Sequence, residues 1–158
     1  KNLGIRMDMA PLVLGVGPGF CAGRDVHMVV ESKRGHNLGR VLTHGEAAPD
    51  TGVPGVIGGY ASERVLRAPA DGVFDARVEL GAVVSAGQEV AVVNGVSLRA
   101  EIDGIVRGLI RPESPVSRGM KVGDVDPRGD RSYLDTVSDK GLAVAGGVLE
   151  AICRVFNR

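Results

Sequence analysis

The stretch LRAPADGVFDARVELGAVVSAGQEVAVV, residues 66–93, recurs at residues 98–125 as LRAEIDGIVRGLIRPESPVSRGMKVGDV. The two segments align without a gap at an offset of 32 residues, and ten of the 28 positions are identical. Glycines that permit turns recur together with valines that suit a core, as where Gly87 matches Gly119. The repeat therefore predicts two halves of the same fold.

Each half reads as a strand, an Asp-Gly turn, a second strand, a V-x-x-G turn and a final short strand. The halves are joined at Asn94-Gly95, which is a strong signal for a type I′ hairpin. This layout resembles the biotinyl/lipoyl domain, and the resemblance implies a barrel-sandwich hybrid over residues 61–127. Carrier domains present a modified lysine on the joining hairpin, whereas here the tip reads VVNGVSL. The sequence favours a structural or docking sandwich over a carrier.

Composition narrows the class of protein. The chain has 158 residues, 19 basic against 19 acidic side chains, three Phe, two Tyr and no Trp. A nucleic-acid binder normally shows a basic excess or stacking aromatics, so we expect no nucleic-acid partner. A membrane span needs roughly 20 apolar residues in a row, so we expect no membrane segment either. Two widely separated cysteines suit a reducing compartment, and we expect a cytoplasmic protein. The start lacks both an initiator Met and a secretory signal, which favours a piece of a longer polypeptide.

A glycine-rich loop, GVGPGFCAGRDVH at residues 15–27, lies between two predicted strands. It is neither a dinucleotide fingerprint nor a Walker A loop, because a strand follows it and no Gly-Lys-Ser/Thr is present. Gly17 and Gly19 are candidate backbone contacts for an anion. Cys21 is a candidate nucleophile or chalcogen ligand, since Arg24 and glycine N–H groups can stabilise a thiolate. The alternative is a small residue in a tight turn.

The segment that follows is basic and holds Arg34, His36 and Arg40. Arginines suit phosphate or a similar oxyanion through bidentate hydrogen bonds, so these three are candidate ligand contacts. Solvated charges and hydrogen-bonded loop histidines are the other interpretation. A metal site with Cys21 lacks the ligand spacing of a zinc module, and we predict none.

A second charged stretch, GDVDPRGDRSYLDTVSDK, follows the repeat. Asp126, Arg128 and Arg131 are candidate ligand contacts there, because carboxylates can converge where the chain turns. A structural turn with Asp–Arg pairing is the other interpretation.

The C-terminal segment SDKGLAVAGGVLEAICRVFNR predicts a helix with Ser138 as its N-cap. Its apolar residues cover so wide a surface that we expect a buried helix, with Cys153 in the core. Gly146 and Gly147 weaken a helix, and the close approach of another backbone would explain them.

These patterns predict a mainly β protein with a C-terminal helix. Its internal two-fold repeat would form a barrel-sandwich hybrid, packed on a small α/β or β segment. We expect three segments: residues 1–60 as the end of a larger upstream domain, 61–127 as the hybrid, and 128–158 as a turn and helix.

A family resemblance runs through nearly the whole chain. The phrases APLVLGVGPGF, RGHNLGRV, PDTGVPG, ERVLRAPADGVF and GMKVGDVDPRGDRSY resemble the YqeB-type accessory proteins of the selenium-dependent molybdenum hydroxylase system, and this chain resembles their C-terminal portion. The resemblance implies a maturation factor for hydroxylases related to xanthine dehydrogenase. Such a factor would bind a molybdopterin-type cofactor, a selenium species or the hydroxylase itself.

Two other functions stay open at this point. One is a chalcogen-transfer enzyme that uses Cys21, and the other is a purely structural docking domain. Whether the protein is an enzyme, and whether it forms an oligomer, the sequence leaves open.

Overall fold

The computed structural model describes residues 4–157 and shows a mainly β protein with a C-terminal helix. Within these residues the strands form several sheets and no closed barrel. The chain divides into two compact units, whereas the sequence predicts three segments. The first unit contains residues 4–52 together with 137–157, and the second contains residues 53–136.

Short strands build the first unit. Strands β1 (Leu14–Val16), β3 (Met28–Val30) and β4 (Val41–Leu42) form one sheet in the order β1-β3-β4, and β1 and β3 run parallel. Strands β2 (Cys21–Ala22) and β5 (Gly45–Glu46) pair antiparallel. The glycine-rich loop therefore leads into a strand, as the sequence predicts. A short 3-10 turn at Met7–Met9 precedes these strands.

The helix α1 (Asp139–Phe156) completes the first unit. It begins as predicted, because the Ser138 side chain accepts a hydrogen bond from the Gly141 N–H at 3.1 Å. It packs on β3 and β4 at Gly147, where an added Cβ would collide with the Gly39 carbonyl oxygen. The close approach of another backbone therefore explains why residue 147 is a glycine. It does not explain Gly146, because a Cβ added there would contact no neighbouring atom.

The prediction of a buried helix is wrong within the structure. Only Gly147 and Ala151 of α1 are buried, whereas Leu142 and Leu149 are 63% and 61% exposed. Cys153 is also exposed, so its predicted core position is wrong as well. The physical reason is that α1 has two apolar faces, and small residues on one of them suffice to pack on β3 and β4.

The second unit consists of two four-stranded sheets. The first sheet has the order β10-β9-β7-β12 and the second the order β6-β13-β11-β8. A 3-10 turn at Arg131–Leu134 follows the last strand. The strands are β6 (Val65–Arg67), β7 (Gly72–Ala76), β8 (Val83–Val84), β9 (Glu89–Val93), β10 (Val96–Arg99), β11 (Gly104–Leu109), β12 (Pro115–Val116) and β13 (Lys121–Asp126).

Apolar side chains from both sheets form the core of this unit. Phe74, Val90, Val93, Val106 and Val125 are among its fully buried residues. Such residues alternate with exposed ones along β7, as in a strand with one face toward a core.

Hydrogen bonds in the second unit come in pairs that differ by 32 residues. The Gly87 N–H donates to the Ala100 carbonyl at 2.7 Å, and the Gly119 N–H donates to the Ala68 carbonyl at 2.8 Å. Side chains follow the same rule, because Asp103 accepts from the Ala86 N–H at 2.7 Å and Asp71 accepts from the Arg118 N–H at 2.8 Å. The aspartate of each Asp-Gly turn thus accepts a hydrogen bond from the other of the two aligned segments.

Candidate anion-binding cleft

A cleft of about 550 Å³ lies in the first unit between the loop before β4 and the second half of α1. We call it the basic cleft, and its lining residues are His36, Leu38, Gly39, Arg40, Val41, Glu150 and Arg154. The contact of Gly39 with Gly147 forms it, because only glycines allow the loop and the helix to approach so closely. The basic cleft therefore depends on the docking of α1.

Cationic groups dominate the basic cleft. Arg154 forms an ion pair with Glu150, with Nη2 of the arginine 2.6 Å from Oε1 of the carboxylate. Within residues 4–157, the side chains of His36 and Arg40 have no hydrogen-bond or ion-pair partner. One arginine charge is thus neutralised while the other is not, and the cleft can accept an anion through a charge-assisted hydrogen bond.

The sequence predicts His36 and Arg40 as ligand contacts, but it does not indicate Glu150 and Arg154. Their spacing of four residues on a helix is visible in the sequence as an ion pair. Glu150 and Arg154 face the loop at residue 40 because of a tertiary contact, which the spacing alone does not predict. The third predicted residue of the segment, Arg34, pairs with Asp139 at the start of α1, where its Nη2 lies 2.8 Å from Oδ1.

Glu31 is the buried carboxylate beneath this loop, with 5% of its surface exposed. It accepts hydrogen bonds from the backbone N–H groups of Lys33 and Ala48, both at 2.7 Å. Burial alone would raise the pKa of Glu31, but these N–H donors outweigh it and hold the pKa below its ordinary value. Glu31 is thus a charged carboxylate whose hydrogen bonds hold the backbone at the start of the basic segment.

Cys21 lies in a turn whose polar groups form hydrogen bonds with one another. Its carbonyl accepts from the N–H groups of Arg24 and Asp25 at 3.2 and 2.9 Å, and its N–H donates to the Asp25 carboxylate at 2.9 Å. Arg24 and the Cys21 N–H hold the pKa of Asp25 below its ordinary value. The charge of Arg24 is shared with Asp25 and Glu46 at 3.1 and 3.8 Å. The structure thus places Cys21 half-buried beside a carboxylate.

The two glycines predicted as anion contacts lie before this turn. Both have positive φ angles, 73° for Gly17 and 99° for Gly19. The Gly17 N–H donates to the Val30 carbonyl at 2.8 Å, so that donor already has a partner. His27 is likewise engaged, because its Nδ1 accepts a hydrogen bond from the Val13 N–H at 3.0 Å.

Two of the predicted residues of the second unit, Asp126 and Arg128, belong to an arginine cluster around Asp126, which is 4% exposed. The cluster consists of Arg107, Asp126, Arg128 and Tyr133. Arg128 donates to the carboxylate from Nε at 2.9 Å and from Nη2 at 2.6 Å, and Arg107 adds a contact at 3.3 Å. The Arg128 guanidinium also stacks 4.3 Å from the centre of the Tyr133 ring.

This arrangement lowers the pKa of Asp126. The hydrogen bond from Arg128 is the main cause, and it outweighs the effect of burial. Arg131 is used too, since its Nη1 donates to the Gly81 carbonyl at 2.8 Å. Asp130 accepts from the Ser132 N–H and hydroxyl, which caps the 3-10 turn. The side chains of Asp126, Arg128, Asp130 and Arg131 are therefore all hydrogen-bonded within the second unit.

Residues 4–157 contain no group of three or more His, Cys, Asp or Glu side chains that could hold a metal ion. Over the same residues, no helix combines the length and the apolar character that crossing a membrane requires.

Fold and clefts together define a mainly β protein of two units, one of which carries a cleft with an unpaired arginine. No family model matches the chain. Among curated proteins it is 46% identical, over all 158 of its residues, to the uncharacterized protein YqeB of Escherichia coli strain K12. The chain is thus related to YqeB, which confirms the predicted resemblance to YqeB-type proteins. It spans 29% of the length of that relative.

Two solved structures are similar to part of the chain. One is an aspartoacylase family protein from Mesorhizobium loti, with 21% identity, a TM-score of 0.37, and coverage of 53% of this chain and 27% of that one. The other is the product-bound ectoine utilization protein EutE (DoeB) from Ruegeria pomeroyi, with 23% identity, the same TM-score, and coverage of 54% and 27%.

Proposed function

We propose that the chain is the anion-binding part of an accessory protein that matures selenium-dependent molybdenum hydroxylases. The observation that carries this proposal is the unpaired Arg40 guanidinium beside His36 in the basic cleft. Arg154 lines the same cleft from α1 but is paired with Glu150, so the guanidinium that is available to an oxyanion there is that of Arg40.

The biological context comes from the resemblance to YqeB-type proteins, which the similarity to YqeB supports. Maturation of such a hydroxylase requires a phosphate-bearing pterin cofactor and a selenium donor. The pterin phosphate and a selenium donor such as selenide are both anions, and that shared charge matches the basic cleft. The hydroxylase is the proposed partner and the cytoplasm the proposed location.

We also propose that residues 61–127 form a barrel-sandwich hybrid built from two repeated halves, without the modified lysine of carrier domains. The paired hydrogen bonds at an offset of 32 residues support this fold. Gly72 and Gly104 add support, because both occupy aligned positions with φ near 155°, at 153° and 155°. With this fold the second unit would act as a structural or docking domain. It would not carry a covalently attached group, as biotinyl and lipoyl domains do.

Selenium incorporation into the hydroxylase tests the proposed function. The full-length protein is replaced in cells by the Arg40→Met variant, by Cys21→Ser, or by Arg118→Met as a control with an exposed arginine in the second unit. Purified hydroxylase is then assayed for selenium content and activity. We expect Arg40→Met to lower both while Cys21→Ser and Arg118→Met leave them at the level of the parent.

The opposite pattern would favour the chalcogen-transfer alternative. If Cys21→Ser removes selenium from the hydroxylase and Arg40→Met does not, the thiol and not the basic cleft carries the function. If neither variant changes the hydroxylase, the proposal of a cofactor-binding or selenium-binding role is wrong.

A further inference from the structure

A second cleft, also of about 550 Å³, lies in the second unit where β7 and β11 end. We call it the apolar cleft. Its walls are apolar side chains, with charged residues among them, and it is lined by Ala76, Arg77, Val78, Glu79, Leu80, Leu109, Ile110, Arg111 and Pro112. Its volume lies within the range of roughly 300 to 1,000 Å³ that is typical of small-molecule sites.

The two walls come from aligned parts of the repeat. Residues 77–80 of the first half correspond to residues 109–112 of the second at the offset of 32. Leu80 is 58% exposed, so a large apolar side chain is presented to an occupant of the cleft and not to the core. Equivalent loops that turn outward from two strand ends thus leave a space between them that their own side chains do not fill.

Charge within the apolar cleft is uneven. Arg77 pairs with Asp75, with Nη2 of the arginine 2.7 Å from the carboxylate oxygen. Arg111 has no side-chain partner among residues 4–157, and at its aligned position the first half has Glu79. Because Arg77 is paired with Asp75, the remaining charges of the lining are the Arg111 guanidinium and the Glu79 carboxylate, and Arg111 is the cation that stands next to the apolar walls.

We propose that the apolar cleft binds a small amphipathic anion, with its apolar body between Leu80 and Ile110 and its anionic group on Arg111. Apolar contact supplies affinity, and the single guanidinium orients the molecule. This site lies in the second unit and takes a ligand of a different class from that of the basic cleft, so it does not depend on the proposed function.

A suitable probe is 8-anilinonaphthalene-1-sulfonate, which combines aromatic rings with one sulfonate. Its binding to the chain is followed by fluorescence titration. We expect Arg111→Glu and Leu80→Gln each to raise the dissociation constant at least about tenfold, because each removes one of the two recognised features. Both residues are exposed, so neither substitution disturbs the core.

Two control variants locate the probe. Arg118→Glu changes an exposed arginine outside the cleft, and Leu149→Lys alters the exposed face of α1. Both are expected to leave the affinity at the parent value. The uncharged analogue N-phenyl-1-naphthylamine is expected to bind at least about tenfold more weakly than the sulfonate.

The proposal is overturned if Arg111→Glu binds the sulfonate like the parent, or if the uncharged analogue binds equally well. It is equally overturned if Leu149→Lys abolishes binding, since the probe would then lie on α1. Amide chemical shifts of the parent give a check that needs no variant: the probe is expected to move those of residues 76–80 and 109–111.

Discussion

The two groups of basic side chains, one in each unit, differ in what their guanidinium groups contact. In the second unit, Arg128 and Arg107 bind the buried Asp126. In the first unit, Arg40 lines an open cleft and has no partner among residues 4–157. In the sequence both groups are arginines near glycines, and aspartates stand close to those of the second unit. The difference teaches that an arginine is available to a ligand only where no carboxylate of its own unit has been placed against it.

The largest effect is expected from breaking the arginine cluster. Asp126→Ala leaves Arg107 and Arg128 without their shared carboxylate, and breaking such a buried pair costs about 3 kcal/mol or more. Urea unfolding measures this as a lower free energy of unfolding. The control is Asp75→Ala, whose ion pair with Arg77 is half exposed and whose loss is expected to cost less than about 1 kcal/mol. Equal effects of the two variants would contradict a structural role for the cluster.

The next effect concerns the helix that forms one wall of the basic cleft. Gly147→Ala places a methyl group against the Gly39 carbonyl and Val30, which is expected to destabilise the first unit by about 1 to 3 kcal/mol. Gly146→Ala meets nothing and is expected to stabilise by up to about 1 kcal/mol through helix propensity. Thermal unfolding of the two variants should therefore shift in opposite directions. A destabilised Gly146→Ala would show that α1 packs on its other face.

A pH titration tests the lowered pKa of Glu31, the buried carboxylate of the first unit. Because the pKa of Glu31 is lower in the folded protein, Glu31 contributes stability above its ordinary pKa, and that stability is lost as the pH falls through the folded value. Glu31→Gln is expected to lower the free energy of unfolding at neutral pH by about 1 to 2 kcal/mol, since an amide replaces an acceptor of backbone N–H groups.

The same variant should also lose less stability than the parent below about pH 4, because one linked titration is absent. Urea unfolding at neutral pH and at pH 3 measures both effects. An unchanged acid slope in Glu31→Gln would contradict the assignment of a lowered pKa to this residue.

The smallest effect is expected at the surface pair of Arg34 and Asp139. Arg34 side-chain atoms are 38% exposed and those of Asp139 are 70% exposed, so their pair contributes less than about 1 kcal/mol. Arg34→Met is therefore expected to change unfolding little and to leave anion binding within about twofold of the parent. Loss of binding in this variant would extend the basic cleft to a residue that the structure places against α1.

The strands and turns of the second unit were accessible to prediction because their signals are local. The Asp-Gly turns at residues 71–72 and 103–104 and the glycines at 87 and 119 demand a specific backbone, and they stand where strands begin or end. Periodicity likewise located α1 and its cap at Ser138. It could not show which of the two apolar faces would be covered, since that depends on the surfaces against which the helix packs.

The candidate site was accessible only in part. His36 and Arg40 were identified by residue type, but the wall formed by Glu150 and Arg154 depends on a contact between Gly39 and Gly147, which are far apart in sequence. Asp126 and Arg128 of the arginine cluster were also identified by residue type, but Arg107 and Tyr133 were not, and the burial of Asp126 emerged only from the sheet. Local composition predicts which groups can bind an anion, while tertiary contacts decide which of them are already bound.

Calorimetric titration with inorganic phosphate tests the central claim most directly, with the parent, Arg40→Met and Arg131→Met compared at constant ionic strength. Arg131 is the matched control, because it too is predicted from the sequence but its guanidinium is bound to Gly81. We expect phosphate to bind the parent and Arg131→Met alike, and to bind Arg40→Met at least about tenfold more weakly. Equal affinity of the parent and Arg40→Met, or loss of binding in Arg131→Met alone, would contradict the account.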